Sequence, residues 1–564
     1  MCYFLIILSC CIHIDAAKKR RNVHPPEFTS LIQSKLVESL QKPIRTTTSL
    51  QDDSLQHRKA TEISKSQDIR IHYITAPLEQ TIAQMNDVRN KVRGDIIMNE
   101  MLPQIASNFA STLRVVPTKS LSIPNDACFD YFQEFITADM YTPGIRDKDV
   151  VIFISAYDTL GGTKLCNSNP NLSTLAVSSP CNVDTNDRPV VGFANICLNA
   201  LRVSSDNSVD QTSLLQLEDI LTHEFIHILA LNSSLFKYYR SAFDNRPLTP
   251  RKRTLFGSQY FETMEFQCVN NKQNQIMSAI SENTLMYKTE RVKTFGGNQN
   301  RGYYEISLPT VAQVVRNQFN CSSLQGARLE NQPTSDDDCI GSHFDERFFF
   351  SDIMSALYDD DAAYFSPLVL AILEDSGWYK ANFEKAQNSP FGLNMGCDFV
   401  EKDCIIEGKV PAHSKGFFCN NFENKIMKCG PSHSYRGTCD LSVSNEVQRD
   451  YFGQKIGPEF THADWCPIVR DDVTDCDNQA ALKIDPIEVF DPRSRCINVD
   501  LEDDTRTALC IRAFCDDETQ HFVFNIGSKR YQCGVEDEGK SKKVIRNNKF
   551  YRFICPKISQ TCPE

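Results

Sequence analysis

The sequence predicts an α+β protein whose C-terminal part is a separate, disulfide-rich domain. Apolar residues recur at helical spacing over residues 78–113 and 210–232, which indicates amphipathic helices. Residues 68–74 alternate as a strand does, and residues 149–155 and 188–201 contain apolar runs typical of buried strands. Thirteen of the 23 cysteines lie between residues 397 and 562, a density typical of extracellular domains held together by disulfides.

Residues 210–232 form one well-buried helix in this prediction, with an apolar stripe made of Leu214, Leu217, Leu221, Phe225, Ile228 and Leu229. His223 and His227 lie four residues apart on it, so both imidazoles project from one face and can bind one cation. Glu224 can hold a water beside that cation. This His-Glu-x-x-His pattern is used by zinc peptidases, in which the Glu is the general base. The alternative is a core helix with two structural histidines.

A zinc peptidase needs a third protein ligand and an open position for water. Between residues 73 and 412 the remaining histidine is His343, and Met354 follows it. A third His and then a Met in a turn beneath the metal are used by metzincins, so we predict a metzincin-type zinc protease domain that binds one Zn²⁺ ion. Glu262 and Glu265 are alternative third ligands, as in another class of zinc peptidase. We favour His343 because Met354 and the flanking sequence agree with it.

These motifs together resemble the leishmanolysin family of surface metalloproteases. The matching residues are His223, Glu224 and His227, then Ser342-His343, Ile353-Met354, Gly377-Trp378-Tyr379 and Asn382-Phe383. The resemblance runs from about residue 70 to the C-terminus and includes the cysteine-rich tail. It implies a secreted or surface metalloendopeptidase with His223, His227 and His343 as zinc ligands, Glu224 as catalytic base and Met354 in the Met-turn.

The sequence departs from the family pattern at two places. The Gly expected three residues after the second His is Ala230, which does not adopt a left-handed turn as readily, so the helix need not end where it does in the family. Residues 231–342 form a long insertion between the helix and His343. The path of the chain after the helix is therefore open at this point.

We predict five segments along the chain. Residues 1–17 are short and apolar and indicate a signal peptide, and the polar residues 18–64 indicate a propeptide that is later removed. Residues 65–230 would form an N-terminal catalytic subdomain with the zinc helix. Residues 231–395 would form a central subdomain with the third His and the Met-turn. Residues 396–564 would form the Cys-rich C-terminal domain.

The cysteines predict how the last two parts are joined. Seven cysteines lie between residues 128 and 339, and thirteen lie in the tail. Because both numbers are odd, complete pairing needs at least one disulfide between the catalytic part and the C-terminal domain. A zinc finger needs pairs of cysteines separated by two other residues, and the sequence contains no such Cys-x-x-Cys pair. Glycosylation sequons begin at Asn171, Asn232 and Asn320.

Composition and charge narrow the class of function. A net charge of −12 argues against nucleic-acid binding. We find no transmembrane segment and no lipid-anchor signal, so we expect a secreted monomer, free or peripherally associated with a cell surface. The predicted partners are protein or peptide substrates, hydrolysed by a zinc-activated water with Glu224 as general base. The alternative is a non-catalytic or weakly catalytic cell-adhesion protein on the same fold.

Overall fold

The structure is a computed structural model that describes residues 11–14 and 66–564, except for 167, 170–171, 256, 270–271, 333–338, 359–362, 423–425, 444–448, 503–504, 517 and 563–564. The predicted signal peptide and propeptide, residues 1–17 and 18–64, therefore lie outside the described residues, apart from Cys11–Ile14. The sequon at Asn171 is also outside them.

The N-terminal part of the chain alternates between strands and helices. Its strands are β1 (Cys11–Ile14), β2 (Gln67–Asp68), β3 (Ile71–Ile74), β4 (Leu113–Val115), β5 (Ser120–Leu121), β6 (Ile145–Arg146), β7 (Val150–Ser155), β8 (Thr159–Leu160), β9 (Thr163–Lys164), β10 (Ser168–Asn169), β11 (Leu172–Val183) and β12 (Pro189–Ile196). Its helices are α1 (Ala76–Met85), α2 (Val88–Ile96), α3 (Leu102–Thr112) and α4 (Gln211–Leu229).

The central part contains short hairpins, one long hairpin and three helices. Its strands are β13 (Lys252–Arg253), β14 (Gln259–Tyr260), β15 (Thr263–Phe266), β16 (Gln275–Ser278), β17 (Leu285–Thr294), β18 (Gly297–Ile306), β19 (Ala327–Arg328), β20 (Leu357–Tyr358) and β21 (Tyr379–Ala381). Its helices are α5 (Pro309–Phe319), α6 (Glu346–Phe349) and α7 (Pro367–Asp375).

The C-terminal part is mostly β structure. Its strands are β22 (Lys428–Cys429), β23 (Tyr435–Cys439), β24 (Ser442–Val443), β25 (Ile456–Gly457), β26 (Val469–Asp475), β27 (Ser494–Leu501), β28 (Arg506–Asp516), β29 (His521–Ile526), β30 (Lys529–Cys533), β31 (Ser541–Arg546) and β32 (Lys549–Ile554). Two short helices, α8 (Cys397–Glu401) and α9 (Ile558–Thr561), flank them. The largest sheet here has the order β30-β29-β28-β27-β32-β31.

A seven-stranded mixed sheet supports the N-terminal part. Its order is β20-β1-β11-β12-β7-β3, and β10 pairs with β11. Strands β3, β7 and β12 are parallel, whereas β11 is antiparallel to β12. Strands β7 and β12 are buried at every position, as strands covered on both faces require, which agrees with their continuous apolar sequences. On its other side, β11 pairs antiparallel with β1.

Helix α4 packs closely against this sheet because Gly192 on β12 has no side chain. A Cβ atom at Gly192 would lie 2.5 Å from a methyl carbon of Ile228 on the helix. That separation is far below van der Waals contact, so a larger residue would push the helix off the sheet. The glycine therefore fixes the depth at which the helix sits.

The helical stretch predicted over residues 78–113 is divided in the structure. Helix α1 ends at Asn86, which adopts a left-handed conformation with φ of 50°. Asn tolerates that conformation better than most residues. The carboxylate of Asp87 then caps α2 by accepting a hydrogen bond from the Arg89 N–H at 2.8 Å. The Asn-Asp pair therefore breaks an otherwise continuous helical pattern.

Ten disulfides join all twenty cysteines from Cys128 onwards, and one of them links Cys321 at the end of α5 to Cys397 at the start of α8. The predicted bridge between the two groups of cysteines is therefore confirmed. One continuous hydrophobic core extends from Ile69 to Ile468, so residues beyond 396 pack directly on the preceding part of the chain. The sheet β27–β32 has its own core. The mixture of helices, strands and disulfides confirms the α+β expectation.

Candidate metal centre

Helix α4 carries the first residues of the site, and a side chain caps its N-terminus. Asp210 caps its N-terminus by accepting a hydrogen bond from the Ser213 N–H at 2.7 Å. The helix ends at Leu229, and Ala230 follows with φ of −154° and ψ of −61°. Because φ is negative at Ala230, this chain leaves the helix without the left-handed residue for which the family's Gly is suited.

His223 and His227 are fully buried and face each other on one side of α4. Their Nε2 atoms are 2.7 Å apart. The Nδ1 atom of His223 lies 2.5 Å from the carbonyl oxygen of Ile353, and that of His227 is hydrogen-bonded to the carbonyl oxygen of Leu231. A carbonyl only accepts hydrogen bonds, so each Nδ1 carries the proton and each Nε2 presents a lone pair.

His343 completes the group from a distant part of the chain. Its Nε2 lies 3.3 Å from the Nε2 of His227, and its Nδ1 lies 2.6 Å from a carboxylate oxygen of Glu330. A carboxylate partner places the proton on Nδ1 of this ring too. One nitrogen from each of the three histidines lies within 4.8 Å of the others.

These three rings form a donor set that suits a divalent metal ion. Three converging lone pairs repel one another, and a cation between them removes that repulsion. Burial lowers the pKa of His223 and His227 well below the usual value, so both rings are neutral, as metal ligands must be. Imidazole nitrogens held by a carboxylate or a carbonyl on the opposite side are the usual arrangement in zinc sites.

Glu224 is buried beside this group without a partner of its own. Neither carboxylate oxygen has a hydrogen-bond partner among the residues that the structure describes. Burial raises the pKa of Glu224 well above its usual value. The hydroxyl of Ser178 on β11 donates to the main-chain carbonyl of Glu224 at 2.9 Å, which ties this turn of the helix to the sheet. An orphan buried carboxylate destabilises a fold, so its presence indicates a role in function.

The turn around Met354 contacts the segments that carry His223 and His343. Met354 is fully buried, and its carbonyl accepts a hydrogen bond from the Phe344 N–H at 3.0 Å, next to His343. The Met354 N–H donates to Asp352 at 2.8 Å. The carbonyl of the neighbouring Ile353 is the hydrogen-bond partner of His223. This one turn therefore contacts His223 directly and contacts Phe344, the residue after His343. Met354 therefore lies in a buried turn close to two of the three histidines, and its role as a Met-turn stays a prediction.

The alternative third ligands lie elsewhere. Glu262 is exposed and forms an ion pair with Lys252, and Glu265 is exposed on β15. The structure thus brings His343 to the pair on α4 and leaves both glutamates outside the group. The sequon residue Asn232 is fully buried and accepts hydrogen bonds from Ser234, so it is not accessible for modification.

Sequence reasoning missed two parts of the site. Strand β11, which contacts α4, was not predicted because its sequence, with Ser178, Ser179, Pro180 and Asn182, lacks the usual apolar alternation. Glu330 was not singled out because no local pattern marks it. The one available signal was general, since a metal-ligating His usually has a carboxylate or carbonyl partner.

Comparison with known proteins agrees with this geometry. The family model described as leishmanolysin matches residues 35–253 and 281–563. The unmatched stretch, 254–280, lies inside the predicted insertion and contains β14, β15 and β16. Family members are peptidases, and the match indicates a metallopeptidase.

Several relatives are similar to large parts of the chain. A leishmanolysin-like peptidase of Caenorhabditis elegans is 25% identical over 494 residues, which are 78% of this chain and 70% of the relative. Leishmanolysin of Leishmania donovani is 23% identical over 507 residues, 85% of this chain and 72% of the relative. A leishmanolysin-like peptidase of Drosophila melanogaster is 30% identical over 262 residues, 46% of this chain and 34% of the relative.

Proposed function

Because this chain belongs to the leishmanolysin family of peptidases, we propose that it is a secreted zinc metalloendopeptidase of the metzincin type. His223, His227 and His343 are the ligands of one zinc ion, and Glu224 is the general base. The observation that carries the proposal is the convergence of three Nε2 lone pairs next to a buried carboxylate that has no partner among the described residues.

The catalytic step follows from the positions of these side chains. When bound, zinc supplies a Lewis acid that lowers the pKa of water towards about 7 and polarises the scissile carbonyl. Glu224 accepts a proton from the attacking water and then delivers it to the leaving amine. Neither carboxylate oxygen has a hydrogen-bond partner among the described residues, so both are available for these transfers.

Peptide substrates would bind beside β11, in the place that β1, a part of the predicted signal peptide, occupies in the structure. Strand β1 already pairs there antiparallel, and it runs parallel to β20 on its other side. An extended peptide in that place would gain main-chain hydrogen bonds from both neighbours. Because α4 packs beneath β11, such a peptide would pass close to Glu224.

Secretion is supported by the ten disulfides, which form in oxidising compartments. Among the described residues, no helix has both the length and the apolar character needed to span a bilayer. The adhesion alternative is not favoured, because an adhesive scaffold gains nothing from the destabilising burial of Glu224.

Glu224→Gln tests the proposal. The amide has nearly the same shape but cannot accept the proton, so we expect kcat on a casein substrate to fall by about 10²–10⁴-fold while bound zinc is unchanged. Glu218→Gln, on the same helix but partly exposed, is the matched control and should retain activity. In the wild type, a chelator should abolish cleavage and added zinc should restore it. Cleavage by Glu224→Gln at the wild-type rate would contradict the role of the base.

A further inference from the structure

Residues 328–332, which contain the Glu330 side chain that contacts His343, are hydrogen-bonded at both ends to another part of the protein. Residues 328–332 run antiparallel to the segment that carries His343, and the Glu330 N–H donates to the His343 carbonyl at 2.9 Å. Because side chains alternate along an extended chain, Arg328, Glu330 and Gln332 project towards the same side. The middle side chain contacts the proposed zinc ligand, and the outer two contact another part of the protein.

Glu330 makes three contacts through one carboxylate oxygen, two with His343 and one with Ser342. One carboxylate oxygen lies 2.6 Å from the Nδ1 of His343, 3.2 Å from its main-chain nitrogen and 3.1 Å from that of Ser342. The side chain is fully buried, so no solvent competes for these contacts. The orientation of the imidazole is therefore set by the position of one carboxylate.

Asp464, from the C-terminal part of the chain, binds the side chains of Arg328 and Gln332, which lie two residues before and two residues after Glu330. Its Oδ1 accepts a hydrogen bond from Nε2 of Gln332 at 3.0 Å, and its Oδ2 accepts one from Nη2 of Arg328 at 2.9 Å. Asp464 is fully buried. Arg449 also contacts its Oδ2, at 3.2 Å. One carboxylate thus spans the two outer side chains of the 328–332 segment.

We propose that Asp464 is a positioning residue for the third zinc ligand, acting through Arg328, Gln332 and Glu330. The C-terminal part of the chain is then a structural component of the zinc site as well as an appended domain. This inference rests on the proposed function, because it concerns the same metal. It extends the zinc site by a carboxylate that is 121 residues away from His343 in the sequence.

The affinity for zinc, measured by competition with a chromophoric chelator, tests this role without relying on activity. In Asp464→Asn one oxygen and the charge are lost while the shape is kept. We expect zinc to bind about tenfold more weakly, as for other outer partners of metal ligands. Glu488→Gln is the matched control, because Glu488 is fully buried and forms an ion pair with Arg436 at 3.1 Å within the C-terminal part. The control should bind zinc as the wild type does.

Gln332→Met is a milder variant that keeps every charge and removes the hydrogen bond to Asp464. We expect about three- to tenfold weaker zinc binding, at the lower end of such effects. If Asp464→Asn does not fold, Gln332→Met alone decides the question.

Two results would overturn the inference. Zinc affinity within about twofold of wild type in the folded variants would do so, and so would an equal loss in Glu488→Gln, which would mark a general effect of stability. If wild-type protein itself binds no zinc, the proposed function fails instead, so the two failures are distinct.

Discussion

Each imidazole of the site has its outer nitrogen fixed by a different part of the chain. The partners are the main-chain carbonyls of Ile353 and Leu231 and the carboxylate of Glu330. Carbonyl partners leave the rings neutral, whereas a carboxylate makes its ring a stronger donor to a metal. The site therefore combines two rings held by the fold of the backbone with one held by a charged side chain.

Loss of His343 should abolish metal binding without unfolding the protein. In His343→Ala two imidazoles remain, and we expect zinc to bind more than about a hundredfold more weakly, beyond the effect of losing an outer partner. His413→Ala is the control, because His413 lies outside the three-histidine group, with its Nε2 atom 3.0 Å from the main-chain oxygen of Asp403. Metal analysis of the two purified variants checks the prediction. Full zinc occupancy in His343→Ala would assign the third ligand to another residue.

At the scale of elements, the sequence predicted those whose pattern is continuous. The ends of strand β7 and helix α4 were predicted to within about three residues, because apolar runs and helical periodicity are direct consequences of burial. Strand β11 was missed because its apolar run is short, Leu175 to Val177, and the polar Ser178 that follows is buried by tertiary packing against α4. The two histidines of α4 were predictable from local spacing. The partner of His343 was not, because only the folded chain brings Glu330 to it.

The close packing of α4 on β12 predicts the effect of a single methyl group. Gly192→Ala would place a Cβ 2.5 Å from a methyl carbon of Ile228 and 2.9 Å from the Ser179 carbonyl. We expect the free energy of unfolding to fall by about 1–3 kcal/mol, as for other overpacked cores. Chemical denaturation of Gly192→Ala, Ile228→Ala and the double variant measures this. The double variant should recover part of the loss, since Ile228→Ala removes the side chain that clashes, and strict additivity would contradict the argument.

The turn that carries Met354 predicts a pH dependence of stability. Burial raises the pKa of Asp352 to about 7, from a usual value of about 3.9. The folded state thus binds this proton more tightly than the unfolded state, so the contribution of Asp352 to stability falls as pH rises from about 4 to about 7. Asn at this position cannot ionise, and its amide can still pair with the Met354 N–H and the Ser366 hydroxyl.

We therefore compare the free energy of unfolding of Asp352→Asn with that of wild type at pH 4.5 and at pH 8. We expect the difference to shift in favour of the variant by about 1–3 kcal/mol as the pH rises from the first value to the second. Urea denaturation of the zinc-free protein at both pH values checks this, since the metal would add its own pH dependence. Asp95→Asn, an exposed position on α2, is the control and should leave the pH dependence unchanged. A parallel pH dependence for Asp352→Asn and wild type would show that Asp352 is not protonated in the fold.

At the scale of the whole molecule, the residues before and after position 396 share a core. Residues from Ile69 to Ile468 form one cluster, and Phe319, Phe399 and Phe417 pack within it across the junction at residue 396. The ion pairs of Asp464 and the disulfide Cys321–Cys397 cross the same junction. Odd numbers of cysteines on either side revealed the bridge from sequence, but they gave no sign of the shared core.

The bridging disulfide should stabilise both parts together. Cys321 and Cys397 are 76 residues apart, so the bond restricts a long loop in the unfolded chain, and its loss costs about 2–5 kcal/mol. We expect the Cys321→Ala/Cys397→Ala variant to lose peptidase activity at a lower temperature than wild type. Cys533→Ala/Cys555→Ala, which opens a 22-residue separation within the sheet β27–β32, should unfold that sheet early and leave activity on heating nearly unchanged. Equal loss of activity in both variants would mean that the shared core, rather than the bridge, transmits unfolding between the two parts.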